Sequence, residues 1–201
     1  MSTILCFGDS NTFGYIPGGA GRFDRHTRYP GVLAQLLGAD YTIAEDGVCG
    51  RTSIFEDAFC AGRCGITDIR DAVRAARPAV LLLMLGTNDC KAQFASDAAG
   101  IARGMEQLAL AALTEQPDLH VVLVSPVLIR PEALACGDYD AASLTASQGL
   151  AAAYAAVATR RGWGFYDAAR VAVASPVDGE HLTAQGHAAL ARDLAAMVRA
   201  L

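Results

Sequence analysis

The run Ala79-Val80-Leu81-Leu82-Leu83-Met84-Leu85 is apolar at every position, with Pro78 before it and Gly86 after it. It is far shorter than the roughly 20 residues that cross a bilayer. A run that does not alternate is buried on both faces, and among strands that is the condition of the middle of a parallel sheet. Thr3 to Phe7, Tyr41 to Ala44, His120 to Ser125 and Gly164 to Tyr166 are shorter apolar runs, bounded by Gly, Pro, Asp or Asn. These runs predict five strands.

Between the runs, apolar residues recur at helical spacing. Ile66, Ile69, Val73 and Ala76 step by 3, 4 and 3, while Ile101, Met105, Leu108 and Ala112 step by 4, 3 and 4, as do Leu190, Leu194, Met197 and Leu201. Each set puts one apolar stripe on one helix face. A shorter helix is expected from Pro30, suited to a first turn, to Leu37, and a long alanine-rich one over Ala141 to Arg161. Strand and helix therefore alternate, which implies βαβ units and a parallel sheet with helices on both faces, an α/β protein. The connections Asp46 to Gly65 and Pro126 to Asp140 exceed ordinary loop lengths and are candidate binding loops.

A chain of 201 residues that is 53% hydrophobic and 18% charged has the material for one packed domain over 1–201 and is unlike a disordered segment. Its net charge of -5, without a block of Lys and Arg, lacks the footprint of a nucleic-acid or anionic-membrane binder, so a small-molecule partner is expected. Met1 to Phe7 runs directly into Gly8-Asp9-Ser10-Asn11 with no leader pattern, so a cytoplasmic protein is expected. The six cysteines are scattered, as reduced thiols are, and even Cys60 and Cys64 have no further Cys or His at metal-ligand spacing. No metal and no cofactor are expected.

In a parallel sheet the loops after the strands gather on one rim, where ligands bind. Those loops carry Gly8-Asp9-Ser10-Asn11, Asp46 to Thr52, Gly86-Thr87-Asn88-Asp89 and Asp178-Gly179-Glu180-His181. Attack on a carbonyl needs a nucleophile, a base, a group that orients the base, and donors for the oxyanion. Ser10 supplies the hydroxyl, His181 the base and Asp178, at three residues before it, the orienting carboxylate. The N–H groups of Ser10 and Gly50 and the Asn88 amide are candidate oxyanion donors. Asp9, Asn11, Phe13, Tyr15, Arg51, Thr87, Lys91, Phe94, Glu180 and the segment Pro126 to Tyr139 flank these positions and are candidate substrate walls. Few of them are large and apolar, which points to a short acyl group. Each of these blocks alone is also ordinary turn or cap material. His187, on the apolar face of the last helix, is expected to be a packed residue.

As a set, Gly8-Asp9-Ser10-Asn11, Gly50, Gly86-Thr87-Asn88-Asp89 and Asp178-Gly179-Glu180-His181 resemble the four blocks of the SGNH, or GDSL-type, hydrolases, in family order, with Asn11 where the family name has Leu. The resemblance implies a flavodoxin-like three-layer α/β/α sandwich with a five-stranded parallel sheet. It also implies a serine esterase without cofactor, with Ser10, Asp178 and His181 as triad and Ser10, Gly50 and Asn88 as oxyanion hole. Ile4 to Ser10, Met84 to Asp89 with Lys91, and Val177 to Gly179 with His181 resemble more narrowly the bacterial arylesterase and acyltransferase branch, related to carbohydrate acetylesterases. That likeness implies short acyl esters of aryl alcohols or carbohydrates, acyl transfer as a side activity, and a homo-oligomer. Lysophospholipase or thioesterase activity is the alternative within the family.

Two readings from other classes stand beside it. One is a flavodoxin-like binding module with Asp9 and Asp89 at strand ends, although the phosphate loop expected for a flavin nucleotide is missing after the first strand. The other is a metal-dependent phosphoesterase using Asp9, Asn88, Asp89 and His181. Neither accounts for the spacing of Asp178 and His181.

Overall fold

A computed structural model describes residues 2–19 and 21–201. Five strands, β1 (Ser2–Gly8), β2 (Tyr41–Gly47), β3 (Val80–Met84), β4 (His120–Ser125) and β5 (Gly164–Asp167), form one all-parallel sheet in the order β2-β1-β3-β4-β5. The five predicted runs are these strands, with β2 longer than its apolar stretch. Glu45, Asp46 and Gly47 continue the ladder against Cys6, Phe7 and Gly8. Polar side chains are tolerated there because β2 is an edge strand whose residues are only half-buried.

The pleat divides the core. Leu5, Phe7, Leu81, Leu83, Val121 and Leu123 face one way, onto Ile69 and Val73 of α3 (Gly65–Ala76), Ile101, Met105 and Leu108 of α4 (Ala98–Glu115), and Leu150, Tyr154 and Val157 of α5 (Ala141–Arg161). Ile4, Cys6, Leu82, Met84, Val122 and Val124 face the other way, onto Leu33 and Leu37 of α2 (Tyr29–Leu37) and Leu190 and Leu194 of α6 (Ala184–Arg199). This is the three-layer α/β/α sandwich. β3 is buried at all of its positions, which explains why its sequence does not alternate.

Helix starts are encoded locally. Asp97 accepts from the Gly100 N–H, Thr183 accepts from the Gly186 N–H, and Asp140 with Ser143 closes a capping box. α5 ends on Gly162 at φ +70°, a left-handed cap that glycine adopts without strain. No described helix is long and apolar enough to cross a membrane.

Strand order reverses at β1, which lies between β2 and β3, so the loops after β1 and β3 diverge and leave a crevice at their carboxyl ends. Ser10 and Asn88 sit in those two loops. Between Ser10 and Phe13 the chain makes a short helical turn, α1, where loop was expected. The long segments 46–65 and 126–140 are not loop throughout, since the first begins in β2 and the second contains a 3₁₀ turn over Pro131–Cys136.

Candidate active site

Gly8 ends β1 opposite Met84 and Gly47. A Cβ at Gly8 would fall on the Thr12 side chain and the Met84 carbonyl, and one at Gly47 on the Phe13 backbone, so these glycines let α1 fold tightly over the strand ends. Asp9 caps that turn, its Oδ1 accepting from the Asn11 N–H at 2.9 Å, and Ser10 becomes the first helical residue. A serine in this place has a fixed backbone and a side chain aimed over the crevice.

The His181 Nε2 lies 2.9 Å from Ser10 Oγ, and its Nδ1 lies 3.0 Å from Asp178 Oδ2. An ionised carboxylate only accepts hydrogen bonds, so Nδ1 donates to Asp178, which leaves the Nε2 lone pair for the Ser10 hydroxyl. Asp178 Oδ1 also accepts the His181 N–H at 3.2 Å, and Oδ2 accepts the Gly18 N–H at 3.0 Å. Partial burial raises the Asp178 pKa, but the bonds and charge of His181 and the Gly18 N–H outweigh it, and the carboxyl is held below its usual range. The Tyr15 ring packs on the imidazole, centroids 4.6 Å apart.

Gly50 has φ +80° and no described atom on its N–H, while Asn88, in a 3₁₀ turn after β3, donates one amide proton to the Arg51 carbonyl at 3.1 Å. Both line a cavity of about 430 Å³ together with Ser10, Tyr15, Lys91, Asp178, Glu180 and His181. A larger cavity of about 630 Å³, walled by alanines and short polar side chains between the starts of α4 and α5, meets this one at Lys91 but has no hydroxyl–imidazole pair on its walls. Chemistry on an ester has its groups only in the smaller cavity. Among the described residues no group of three or more His, Cys, Asp or Glu side chains is arranged to hold a metal ion.

The flanking residues divide. Tyr15, Lys91 and Glu180 are on the cavity wall, and Cys49, Gly18 and Gly19 join them without having been singled out from sequence. Phe13 is instead covered by the Arg22 guanidinium, 4.3 Å from its ring centroid, and Phe94 stacks on Phe55 at 5.1 Å. Arg51 is inside the protein, 2% exposed, donating to the carbonyls of Gly8 and Asp46 and to the Asp46 carboxylate and lying over the Phe7 ring. Thr87 is buried, and Asp9 and Asn11 spend their side chains on backbone. These six are corrected from substrate walls to parts of the scaffold, because the turns after β1, β2 and β3 hold their side chains in the contacts and burial just given and off the cavity wall.

Asp89 is fully buried, its Oδ1 accepting from the Ser53 N–H and hydroxyl, and burial pushes its carboxyl up to about 6. Burial likewise pushes Asp9 up to about 7. His187 is the packed residue expected, fully buried with Nδ1 accepting from the Tyr29 N–H at 3.2 Å. The cysteines are free thiols.

The GDSL-like Lipase/Acylhydrolase family profile matches residues 6–189. The chain belongs to that family. It is an ester hydrolase of the GDSL type, and its fold, a five-stranded all-parallel sheet flanked by helices, matches that of solved relatives. The inhibitor-bound M. smegmatis aryl esterase is 32% identical with a TM-score of 0.94, the match covering 100% of each chain. A carbohydrate acetylesterase family member from Sinorhizobium meliloti is 32% identical with a TM-score of 0.92, covering 100% of this chain and 98% of the other. Est24, a carbohydrate acetylesterase from the same organism, is 30% identical with a TM-score of 0.93, over 100% and 99%. No curated protein matches the chain in sequence.

Proposed function

We propose that this GDSL-family esterase removes short acyl groups, acetyl foremost, from aryl alcohols or carbohydrates through an acyl-enzyme on Ser10. The observation that carries the reading is the line Ser10 Oγ, His181 Nε2, His181 Nδ1, Asp178 Oδ2, with steps of 2.9 Å and 3.0 Å, opening on a cavity lined by Gly50 and Asn88.

His181 takes the Ser10 proton as Oγ attacks the ester carbonyl, and Asp178 stabilises the imidazolium that forms. The negative oxygen of the tetrahedral intermediate is met by the N–H groups of Ser10 and Gly50 and the free Asn88 amide proton. His181 then gives its proton to the leaving alcohol and activates water in the same way to free the acid. The modest cavity, in which Tyr15 is the one large aromatic side chain among the described wall residues, favours a short acyl group. Acyl transfer to other alcohols is a side reaction of the same intermediate. The similarity to an aryl esterase and to carbohydrate acetylesterases supports the alcohol classes. A single domain and a homo-oligomer complete the reading, the latter favoured by exposed Leu134, Val173 and Val177 and checked by light scattering.

The test is hydrolysis of p-nitrophenyl esters from acetate to decanoate by the native protein and by Ser10→Ala. Expected are fastest turnover on the shortest esters and its loss in Ser10→Ala. Turnover indifferent to Ser10 would overturn the nucleophile, and a rate that keeps rising past octanoate would overturn the short acyl pocket.

A further inference from the structure

Two oppositely charged side chains, Lys91 and Glu180, stand on the wall of the cavity that holds Ser10. Both are long and flexible, and one dipeptide restrains them both. Asp138 Oδ2 pairs with Lys91 Nζ at 2.9 Å, and the hydroxyl of the next residue, Tyr139, donates to Glu180 Oε2 at 2.6 Å. The Asp138 carbonyl further accepts the Ala92 N–H at 2.9 Å, which ties the dipeptide to the turn that carries Lys91. Tyr139 is buried, and burial together with the Glu180 charge raises its pKa well above the usual phenol range, so it remains a donor.

What this leaves open is specific. Glu180 Oε1 is not taken by Tyr139 and lies 3.9 Å from His181 Nδ1, while Lys91 retains protons beyond the one shared with Asp138. The site therefore presents a fixed acceptor and a fixed donor beside the reacting serine. An aryl or alkyl alcohol would strip water from both and replace it with nothing, which is unfavourable for charged groups. A charged alcohol would be repelled by one of the two. A neutral polyhydroxylated alcohol answers both, since its hydroxyls donate to Glu180 and accept from Lys91. Because Asp138 and Tyr139 fix the two side chains beforehand, little conformational freedom is lost on binding.

We propose that Lys91 and Glu180, clamped by Asp138 and Tyr139, are the specificity-determining residues of an alcohol subsite that selects neutral polyhydroxylated leaving groups, sugars with free hydroxyls. This rests on the ester reading above. The acyl-enzyme is identical for all acetates, so kcat/KM, which reports acylation, isolates the alcohol. The experiment compares kcat/KM for 6-O-acetylglucose and ethyl acetate, two alkyl acetates that differ in hydroxyls, in the native protein and in Glu180→Gln, Lys91→Met and Tyr139→Phe.

The native ratio of sugar ester to ethyl acetate is expected to be about 10 or more, and to fall by about tenfold in Glu180→Gln, where a neutral amide replaces the charged acceptor. Lys91→Met is expected to lower it similarly, and Tyr139→Phe, which frees the carboxylate, to lower it mainly through KM. Effects on the triad cancel in the ratio. A native ratio near one, or a ratio that stays within about twofold across the variants, overturns the subsite even when phenyl acetate is turned over through Ser10. If Ser10-dependent hydrolysis of phenyl acetate is itself missing, the ester reading falls, and this inference falls with it.

Discussion

The Asn11 side chain holds the backbone on both sides of His181, its Nδ2 donating to the Glu180 carbonyl at 3.1 Å and its Oδ1 accepting from the Leu182 N–H at 2.8 Å. Asn11 follows Ser10 directly in α1, so the turn that positions the serine also positions the loop that carries the imidazole. Two segments 171 residues apart are thereby fixed to one another within a single buried amide.

Asn11→Ala removes both bonds and leaves Ser10 and His181 in place but free to drift. Displacement of reacting groups by about 1 Å costs on the order of 100-fold, so kcat for phenyl acetate is expected to fall about 10- to 100-fold with KM changed far less. Asn11→Asp, which keeps the acceptor and loses the donor, is expected to fall between. Steady-state kinetics decide this, and a loss of under about twofold in Asn11→Ala would show that α6 and its Thr183 cap hold the loop unaided.

Asn88 makes one bond to the Arg51 carbonyl and keeps a second amide proton for the cavity. If that proton meets the oxyanion, Asn88→Ala should lower kcat by about 100- to 1,000-fold, with KM little affected because the bond forms only as charge develops. Affinity for an acetaldehyde or boronate analogue of the tetrahedral state should drop in parallel. A variant that loses turnover while binding the analogue normally would move Asn88 from the oxyanion to the scaffold.

Arg51 illustrates how much of the site was legible beforehand. The strand runs, the amphipathic stripes and the joint placement of Ser10, Asn88 and the Asp178–His181 pair after successive strands are all properties of residue type and spacing, and the parallel sheet turns spacing into proximity. Side-chain direction in the connecting turns has no such period. Phe13 turns toward Arg22, Phe94 toward Phe55 and Arg51 under the strand ends because of local backbone geometry, and nothing in Asp46 to Thr52 distinguishes an arginine facing solvent from one facing Phe7. Tyr139 was bracketed only as part of a long segment. Its contact with Glu180 spans 41 residues and leaves no local pattern.

The same geometry makes Arg51 a stability residue. Its guanidinium is 3% exposed and bridges the end of β1, through the Gly8 carbonyl, to Asp46 on β2, with Asp68 of α3 at 3.5 Å. Arg51→Met removes the guanidinium bonds to the Asp46 carbonyl and carboxylate and leaves the Gly8 carbonyl with the Val48 N–H alone, an expected loss of about 2–4 kcal/mol. Chemical denaturation should show this as a lower midpoint with an unchanged slope. Wild-type stability combined with lost activity would return Arg51 to the substrate.

His187 sets an acid limit on stability. Burial, aided by the charge of His181, lowers its pKa to about 4 from an ordinary value of about 6.5. The folded state keeps this imidazole neutral where the unfolded chain binds a proton, so its contribution weakens as pH falls from about 6.5 and is fully lost by about 4, a change of roughly 3 kcal/mol. Asp9 and Asp89, pushed up to about 7 and about 6 by burial from an ordinary value of about 4, act in the opposite sense, since the fold keeps their protons after the unfolded chain has released them, so stability falls as pH rises from about 4 and the penalty is complete by those values. The raw stability curve mixes the two trends, and a difference separates them. His187→Asn puts an amide oxygen near the Nδ1 position, retaining an acceptor for the Tyr29 N–H, but does not titrate. Urea unfolding of both proteins from pH 7 to pH 4 should show the native advantage over the variant shrinking by about 3 kcal/mol, most of it below pH 6. Parallel curves across that range would mean that His187 takes up its proton in the folded state as readily as in the unfolded chain, and that its buried Nε2 has an acceptor when charged.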